Sequence, residues 1–439
     1  MYLPKNVIEI IEKLNNHGYT AYVVGGAVRD AIMGKTPHDY DITTSALPDE
    51  VKELFPNHFP LGEKFGTVSV VYENCDPVEV TTYRKDSEYT DGRHPNEVIF
   101  VTDLFEDLKR RDFTMNAIAY NPSEGFVDPF NGLSDIANKL VKSVNNPVDR
   151  FTEDGLRVLR ALRFASQLEF SIEENTHQGM LECIDMIDCV AAERIGPEFV
   201  KMLIGPNAEF VLKSYPEFFV KIIHAYGRML NCKQNTPYHI YDVEDHTIKV
   251  VVGVPAEERV RLAAFFHDFG KPRAKTTDEN GIDHFYGHAE ISARLTEKYM
   301  SKLRFSSKLT NEVMLLVKYH DALWTPTKKI VRKLMAEMGE DLFLDLIKLR
   351  KADILAQAPR VDDSAEKALE LFHEVKSAND ALSIKDLDIN GYDVMNIGAV
   401  GPQIGQILKT LLEEVMDDKI KNEHEALILR AKELKKVLD

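Results

Sequence analysis

This chain of 439 residues lacks several things, and each absence narrows what it can be. No stretch reaches the roughly 18 consecutive apolar residues that a membrane-spanning helix needs. The opening residues, Met1-Tyr2-Leu3-Pro4-Lys5, lack the apolar core of a secretory signal. Only four cysteines occur, Cys75, Cys183, Cys189 and Cys232, and none is spaced as C-x-x-C. They read as buried thiols of a reduced compartment, not as a disulfide framework. Basic residues are in deficit: 54 Lys and Arg against 71 Asp and Glu leave a net charge of −17. A general polyanion binder needs positive charge to release counterions, so this balance argues against one. A local basic channel on an acidic body stays open. Internal repeats and low-complexity linkers are absent too, and the length suits two to four domains. The expectation is a soluble, cytoplasmic protein.

What is present is concentrated between residues 25 and 41. Residues 21–24 make a short apolar strand, Gly25-Gly26 a turn and 27–33 a short helix, before Asp39-Tyr40-Asp41-Ile42 opens another strand. Side chains alternate along a strand, so Asp39 and Asp41 are expected on one face. Two close carboxylates repel unless a cation sits between them, and hard oxygen ligands suit Mg²⁺. The glycine pair lets backbone approach a phosphate, and the helix that follows offers unpaired N–H donors. A phosphate cradle beside a divalent-metal site is what nucleotidyl transfer requires.

Strand and helix patterns alternate up to about residue 145, with further strands expected at 68–72, 78–82 and 98–102. From Glu153 onward the period is helical, broken at Gly205-Pro206, Thr236-Pro237 and 253–255. Residues 84–95 are polar and aperiodic and read as a mobile loop. Local basic concentrations occur at Lys109-Arg110-Arg111 and in the series Arg157, Arg160, Arg163. Glu79 stands between two valines on the 78–82 strand. Thr152 can cap a helix on which Val158, Leu162 and Ala165 form the core stripe, with Asp154 and Arg157 one turn apart on another face.

The run Gly-Gly-Ala-Val-Arg-Asp followed by Asp-Tyr-Asp resembles the signature of the polymerase-beta nucleotidyltransferase superfamily. More narrowly, it is similar to the class II tRNA nucleotidyltransferases and their bacterial poly(A) polymerase relatives. The resemblance implies an α+β head, a polymerase-beta-like mixed sheet with helices, over residues 1–145. A helical neck and body (146–235), an HD phosphohydrolase-like helical domain (236–370) and a helical tail (371–439) would follow. It implies two Mg²⁺ ions on Asp39 and Asp41, one activating the RNA 3′-hydroxyl and one escorting the triphosphate, with Glu79 as a third carboxylate. Gly25, Gly26 and Arg29 would bind phosphates.

Arg110-Arg111-Asp112-Phe113-Thr114-Met115-Asn116 matches the family's next motif. It implies that Asp112 and Asn116 orient the ribose, while Arg111 balances phosphate charge and Lys109 and Arg110 meet the tRNA. Asp128, Gly132 and Lys142 fit a hinge motif, with Lys142 departing from the commoner Arg. Glu153-Asp154-Gly155-Leu156-Arg157 matches the motif that reads the incoming base, Arg160 and Arg163 completing the nucleotide site. Glu193-Arg194-Ile195 resembles a further motif, taken as structural support. His246, His267-Asp268 and Asp353 match the metal ligands of HD phosphohydrolases, with His288 and His320 where two-metal members place extra ligands; the metal is unspecified. The implied activity is addition of C, C and A to tRNA 3′ ends from CTP and ATP, with an accessory phosphohydrolase. The alternatives are A-only or CC-only addition, a poly(A) polymerase, and an HD phosphohydrolase whose head merely binds nucleotide. The 84–95 loop with Asp86 and Arg93 disfavours CC-only addition, and the short end at 433–439 disfavours a poly(A) polymerase.

Overall fold

The computed structural model describes residues 1–59, 65–72, 75–86, 98–357, 359, 361–378 and 380–438. Most of the 84–95 loop, Arg93 included, lies outside the described residues, as does the Asp86 side chain. The chain divides into two units, Met1–Ile222 and Ile223–Asp439.

The first unit opens with α1 (Lys5–Asn16), β1 (Ala21–Val24), α2 (Gly26–Ile32), β2 (Asp41–Thr44) and α3 (Pro48–Leu54). Strands β3 (His58–Phe59), β4 (Thr67–Val70), β5 (Val78–Thr82), β6 (Arg84–Asp86) and β7 (Val98–Phe100) follow, then α4 (Leu104–Lys109), β8 (Ala119–Asn121) and β9 (Gly125–Val127). Seven of these strands form one mixed sheet in the order β3-β4-β5-β2-β1-β8-β9, while β6 and β7 pair separately. All four residues of β1 are buried, which an apolar central strand predicts. Strand β2 runs antiparallel to β1 and parallel to β5, and the parallel register sets Asp41 opposite Glu79.

The neck brings α5 (Gly132–Ala137), β10 (Leu140–Val141), α6 (Pro147–Glu153), α7 (Leu156–Leu168), β11 (Ser171–Ile172), α8 (Glu174–Glu182), α9 (Ala192–Ile204), α10 (Ala208–Ser214) and α11 (Pro216–Ile222). Asp128 caps α5, accepting from the Gly132 and Leu133 amides at 2.7 and 2.9 Å. Thr152 does not cap the helix that carries Arg157; it lies inside α6, with its hydroxyl 3.7 Å from Cys183 Sγ. The break falls at Asp154, which is extended (φ −145°, ψ 104°) and whose Oδ1 accepts from the Leu156 amide at 3.0 Å. Gly155, which follows, packs directly on the backbone at Met186, where a Cβ would meet the carbonyl oxygen at 2.3 Å.

The second unit is helical: α12 (Val243–Gly253), α13 (Glu258–Phe266), α14 (Lys271–Ala274), then β12 (Thr276–Thr277) and β13 (Asp283–His284) as a small hairpin. Helices α15 (His288–Lys302), α16 (Ser307–Tyr319), α17 (Lys328–Met338), α18 (Glu340–Leu355) and α19 (Ser364–Ser377) follow. The last three, α20 (Gly391–Asn396), α21 (Pro402–Met416) and α22 (His424–Leu438), share a cluster around Val394, Ile407, Leu411 and Leu427. Helix α13 is buried from Val260 to Phe266, and Phe265 stacks on Tyr226 at 5.5 Å. No helix among the described residues is long and apolar enough to cross a membrane. The cysteines correct one expectation: all four are free, but only Cys183 is buried, and Cys75 and Cys189 are exposed.

Candidate nucleotidyl-transfer site and candidate metal centre

In the first unit, β1 ends at Val24 and the chain turns through Gly25 at φ +73°, a conformation that glycine adopts without strain. A Cβ on Gly25 would lie 3.3 Å from Arg111 Nη1 and 3.7 Å from Asp41 Oδ2. The turn, the arginine and the carboxylate therefore share one small volume. Asp39 lies before β2, not on it, so its place beside Asp41 is set by the loop and not by strand alternation. Partial desolvation, then repulsion from Asp39, raise Asp41 above the usual carboxylate range, although Arg111 pulls the other way. Glu79 is raised by burial and by the charges of Asp41 and Asp39. Three mutually repelling carboxylates are a donor set for a hard divalent cation.

Next to them runs a chain of paired charges. Arg29 Nη1 donates to Asn116 Oδ1 at 2.9 Å, and Asn116 Nδ2 donates to Asp112 Oδ1 at 3.1 Å. Asp112 Oδ2 accepts from Arg160 Nε at 2.7 Å, and Oδ1 also takes the Phe113 amide. Burial alone would raise Asp112, but Arg160 and Asn116 bring it down to about 2. Arg29, Arg160 and Arg163 surround Phe164, at 5.2, 5.4 and 4.1 Å from its ring centre. Burial lowers Arg163 to about 10, with Glu198 opposing at 3.0 Å. Each of the three is paired with a carboxylate, Arg29 with Asp30 at 2.7 Å, Arg160 with Asp112 at 2.6 Å and Arg163 with Glu198 at 3.0 Å, so a phosphate that binds here competes with those partners.

Asp107 escaped the sequence reading. It is fully buried and holds both arginines of the motif, Arg110 Nε at 3.0 Å and Arg111 Nη2 at 3.4 Å, with Thr43 on its second oxygen at 3.1 Å. Its spacing of three and four residues from those arginines was the available signal. Lys109 ion-pairs with Glu106 at 3.6 Å.

Asp154 and Arg157 are not paired with each other, contrary to the expected helical pair. Asp154 Oδ2 accepts from Arg194 Nη2 at 2.8 Å. Arg157 donates to Glu153 Oε2 at 2.7 Å and to the carbonyls of Arg150 and Arg110 at 3.0 and 3.1 Å. The reason is the bend at Asp154, which takes its carboxylate off the α7 surface. Arg194, expected only to support the neck, holds the carboxylate instead.

In the second unit, His246, His267, Asp268 and Asp353 converge. His246 Nε2 lies 3.1 Å from Asp353 Oδ1 and 3.4 Å from His267 Nε2, and the latter is 3.2 Å from Asp268 Oδ2. His288 and His320 form a second pair, Nε2 to Nε2 3.1 Å, with Asp268 Oδ1 at 3.4 and 3.8 Å. Every one of these four imidazoles turns Nδ1 to a backbone carbonyl: Ala356, Ala264, Phe285 and Val317. Nδ1 is therefore the protonated nitrogen, and the Nε2 lone pairs face each other. Lone pairs at such distances are relieved by a proton shared between them or by a metal ion. Neither buried oxygen of Asp268 accepts a well-aligned hydrogen bond, although Lys271 Nζ approaches Oδ2 to 2.7 Å. Among the described residues, the ligand atoms of His246, His267 and Asp268, and of Asp268, His288 and His320, each fall within 4.8 Å of one another. These donors fit two divalent ions sharing Asp268. Asp321 also faces the second pair, at 3.4 Å from His288 Nε2. The dipeptide His320-Asp321 repeats His267-Asp268, a signal the sequence reading passed over.

The Poly A polymerase head domain model matches residues 21–142, and a tRNA nucleotidyltransferase domain 2 model matches 275–431. Over 231 residues the chain is 46% identical to a CCA-adding enzyme of Geobacillus sp. (strain WCH70), covering 53% of this chain and 56% of that one. In that match, as in others of similar identity, the chain spans about half the length of the relative. With the CCA-adding enzyme of Lactococcus lactis subsp. cremoris (strain MG1363) it is 32% identical over 98% of both chains. The crystal structure of the Bacillus stearothermophilus CCA-adding enzyme in complex with CTP superposes with a TM-score of 0.74 at 26% identity, covering 100% of this chain and 99% of that one. The first unit thus has the architecture of a nucleotidyltransferase head on a helical neck. The chain belongs to the CCA-adding enzyme family.

Proposed function

We propose that this protein adds C, C and A to the 3′ end of tRNA, taking CTP and ATP and releasing pyrophosphate, in the cytoplasm. The observation that carries the reading is the meeting of Gly25, Arg111 and Asp41 in one volume, with Glu79 opposite Asp41 in the sheet. Asp39, Asp41 and Glu79 would hold two Mg²⁺ ions, which when bound stabilise charge on the triphosphate and acidify the attacking hydroxyl. Arg29, Arg111, Arg160 and Arg163 bind phosphate oxygens, and Asp112 and Asn116 set the ribose. Asp154, still held by Arg194, and Arg157 read the base edge, and Arg157 exchanges its present partners for it. Lys109 and Arg110 meet the tRNA. The head ends near residue 145, and the tail beyond about 370 contacts tRNA. Incubating the protein with tRNA that ends at the discriminator base, and supplying CTP, ATP or both, tests the reading. Three added nucleotides with both triphosphates support it; A-only, CC-only or unlimited A addition each points to a different relative, and no addition overturns it.

A second activity is favoured by the facing Nε2 atoms of the second unit: a metal-dependent phosphohydrolase with His246, His267, Asp268 and Asp353 as ligands to one ion and Asp268, His288 and His320 to another.

A further inference from the structure

We propose that Asp107 is a positioning residue of the transfer site: its charge holds Arg111 off Asp41, so that the Asp41 carboxylate stays open to a divalent ion and the Arg111 guanidinium to a phosphate. The proposal rests on the nucleotidyl-transfer reading and adds to it a residue that acts only through its neighbours.

Arg111 stands between two carboxylates. Its Nη1 lies 3.3 Å from the point where a Cβ on Gly25 would sit, and Asp41 Oδ2 lies 3.7 Å from that same point. Opposite charges so placed attract, and an arginine closed on Asp41 would occupy the oxygens that a metal ion needs. The ion pair that Arg111 forms among the described residues is instead with Asp107, Nη2 to Oδ2 at 3.4 Å. Its Nε is buried and has no hydrogen-bond partner among them. The guanidinium is thus held by one nitrogen, with donor capacity left for a ligand.

Asp107 is built for that task. It is fully buried on α4, one helical turn before Arg111. Its Oδ1 accepts from Arg110 Nε at 3.0 Å and from the Arg84 amide at 3.4 Å, and its Oδ2 accepts from Thr43 Oγ1 at 3.1 Å beside Arg111. Thr43 lies on β2 two residues after Asp41, so the carboxylate is fixed against the strand that carries the candidate metal ligand. Burial would raise Asp107, but Arg110 and Arg111 hold it below the ordinary range, as an anion. A buried cation deprived of its partner is costly and turns to another acid. For Arg111 that other acid is Asp41, the one besides Asp107 whose charge acts on it.

Asp107→Asn keeps the shape of the side chain and removes its charge. CTP binding to the full-length protein is titrated by calorimetry without RNA, so that no transfer occurs, at a series of Mg²⁺ concentrations. Nucleotide addition to tRNA is followed over the same series. The half-saturating Mg²⁺ concentration should rise about tenfold in both measurements. In an Arg111→Ala background there is no guanidinium to cross to Asp41, and the same substitution should shift it by no more than about twofold. A rise of equal size in both backgrounds, or no rise with Arg111 present, overturns the proposal and leaves Asp107 as scaffolding. Should Asp107→Asn fail to fold, Arg110→Gln is placed in every variant and in the reference, which removes the second orphaned cation, and the same outcomes decide. A parent protein that neither binds CTP nor adds nucleotides defeats the nucleotidyl-transfer reading and the proposal with it. A parent that does both, with a Mg²⁺ requirement unmoved by Asp107→Asn, defeats the proposal alone.

Discussion

Asp154 is held by Arg194, with Nη2 donating to Oδ2 at 2.8 Å and Nη1 to Oδ1 at 3.3 Å. A carboxylate so gripped has its acceptor directions fixed, and an ionised Asp can only accept while an Arg can only donate. Cytosine and adenine both offer an amino donor beside a ring-nitrogen acceptor, which Asp154 and Arg157 together would complement. Uracil and guanine offer the reverse. Arg194 then acts as a positioning residue for the base reader. Arg194→Ala should raise UTP and GTP incorporation relative to CTP and ATP by about tenfold, as expected when a buried polar match is loosened, and Arg194→Lys should restore part of the discrimination. Single-nucleotide extension with each triphosphate measures this. Discrimination unchanged in a folded Arg194→Ala protein would assign Arg194 to structure alone.

Exchanging the readers themselves meets an obstacle that the same contact explains. In Asp154→Arg with Arg157→Asp, the new arginine faces Arg194, and like charges repel. The double variant should be poorly active with all four triphosphates, and adding Arg194→Glu should raise UTP and GTP use above CTP and ATP. A triple variant that still prefers CTP and ATP contradicts base reading by this pair.

At the head carboxylates, activity and stability should move in opposite directions. Asp41 sits above its ordinary range through desolvation and the Asp39 charge, so its ionised form opposes folding, and increasingly as pH rises through its folded-state value. Asp41→Asn should lower nucleotide addition by roughly a thousandfold or more, yet leave the Tm in chelator at pH 7 equal to or above that of the parent. Both readings come from one preparation. Near-normal addition with Mg²⁺ present would remove Asp41 from the transfer site.

Asp112 gives the opposite sign. Its folded value of about 2 lies below the ordinary 3.8, so the unfolded chain binds the proton more tightly. The stabilisation is complete above about pH 4 and is lost as pH falls towards 2, amounting to roughly 2 kcal/mol for this buried group. The difference in unfolding free energy between the parent and Asp112→Asn should therefore shrink between pH 5 and pH 2. A difference constant over that window would mean that Asp112 is not held ionised by Arg160.

In the second unit, His267→Ala with Asp268→Ala should abolish Mn²⁺ binding and leave CCA addition within about twofold of the parent. Chelators should lower the Tm of the parent, because an ion bound only by the folded state stabilises it, and should leave the double variant unaffected. Addition that collapses in a folded double variant would tie these residues to the head reaction.

The strand-turn-helix run from Ala21 to Ile32 was legible because it is local: an apolar strand, a glycine pair and a helical period lie within a dozen residues. The histidines that the structure brings together could be singled out for a similar reason, His246 and His267 lying beside an acid and His288 and His320 at helix ends. What escaped depends on partners distant in sequence. Gly155 looks like any helix glycine until Met186 is packed against it, which leaves no room for a Cβ. Arg194 gave no sign of its partner forty residues away. Asp39 had the right type and spacing, but the strand starts two residues later than its pattern suggested.

Three of the four candidate metal histidines aim in the same way: His267 to Ala264, His288 to Phe285 and His320 to Val317, each bonding the carbonyl three residues before it. Their direction is thus written into a single turn of chain, not into contacts with remote parts of the molecule. Such ligands travel with their own segment. A designer could graft these short pieces onto other helical frames and keep the imidazoles pointed, provided the frame brings the helix ends equally close.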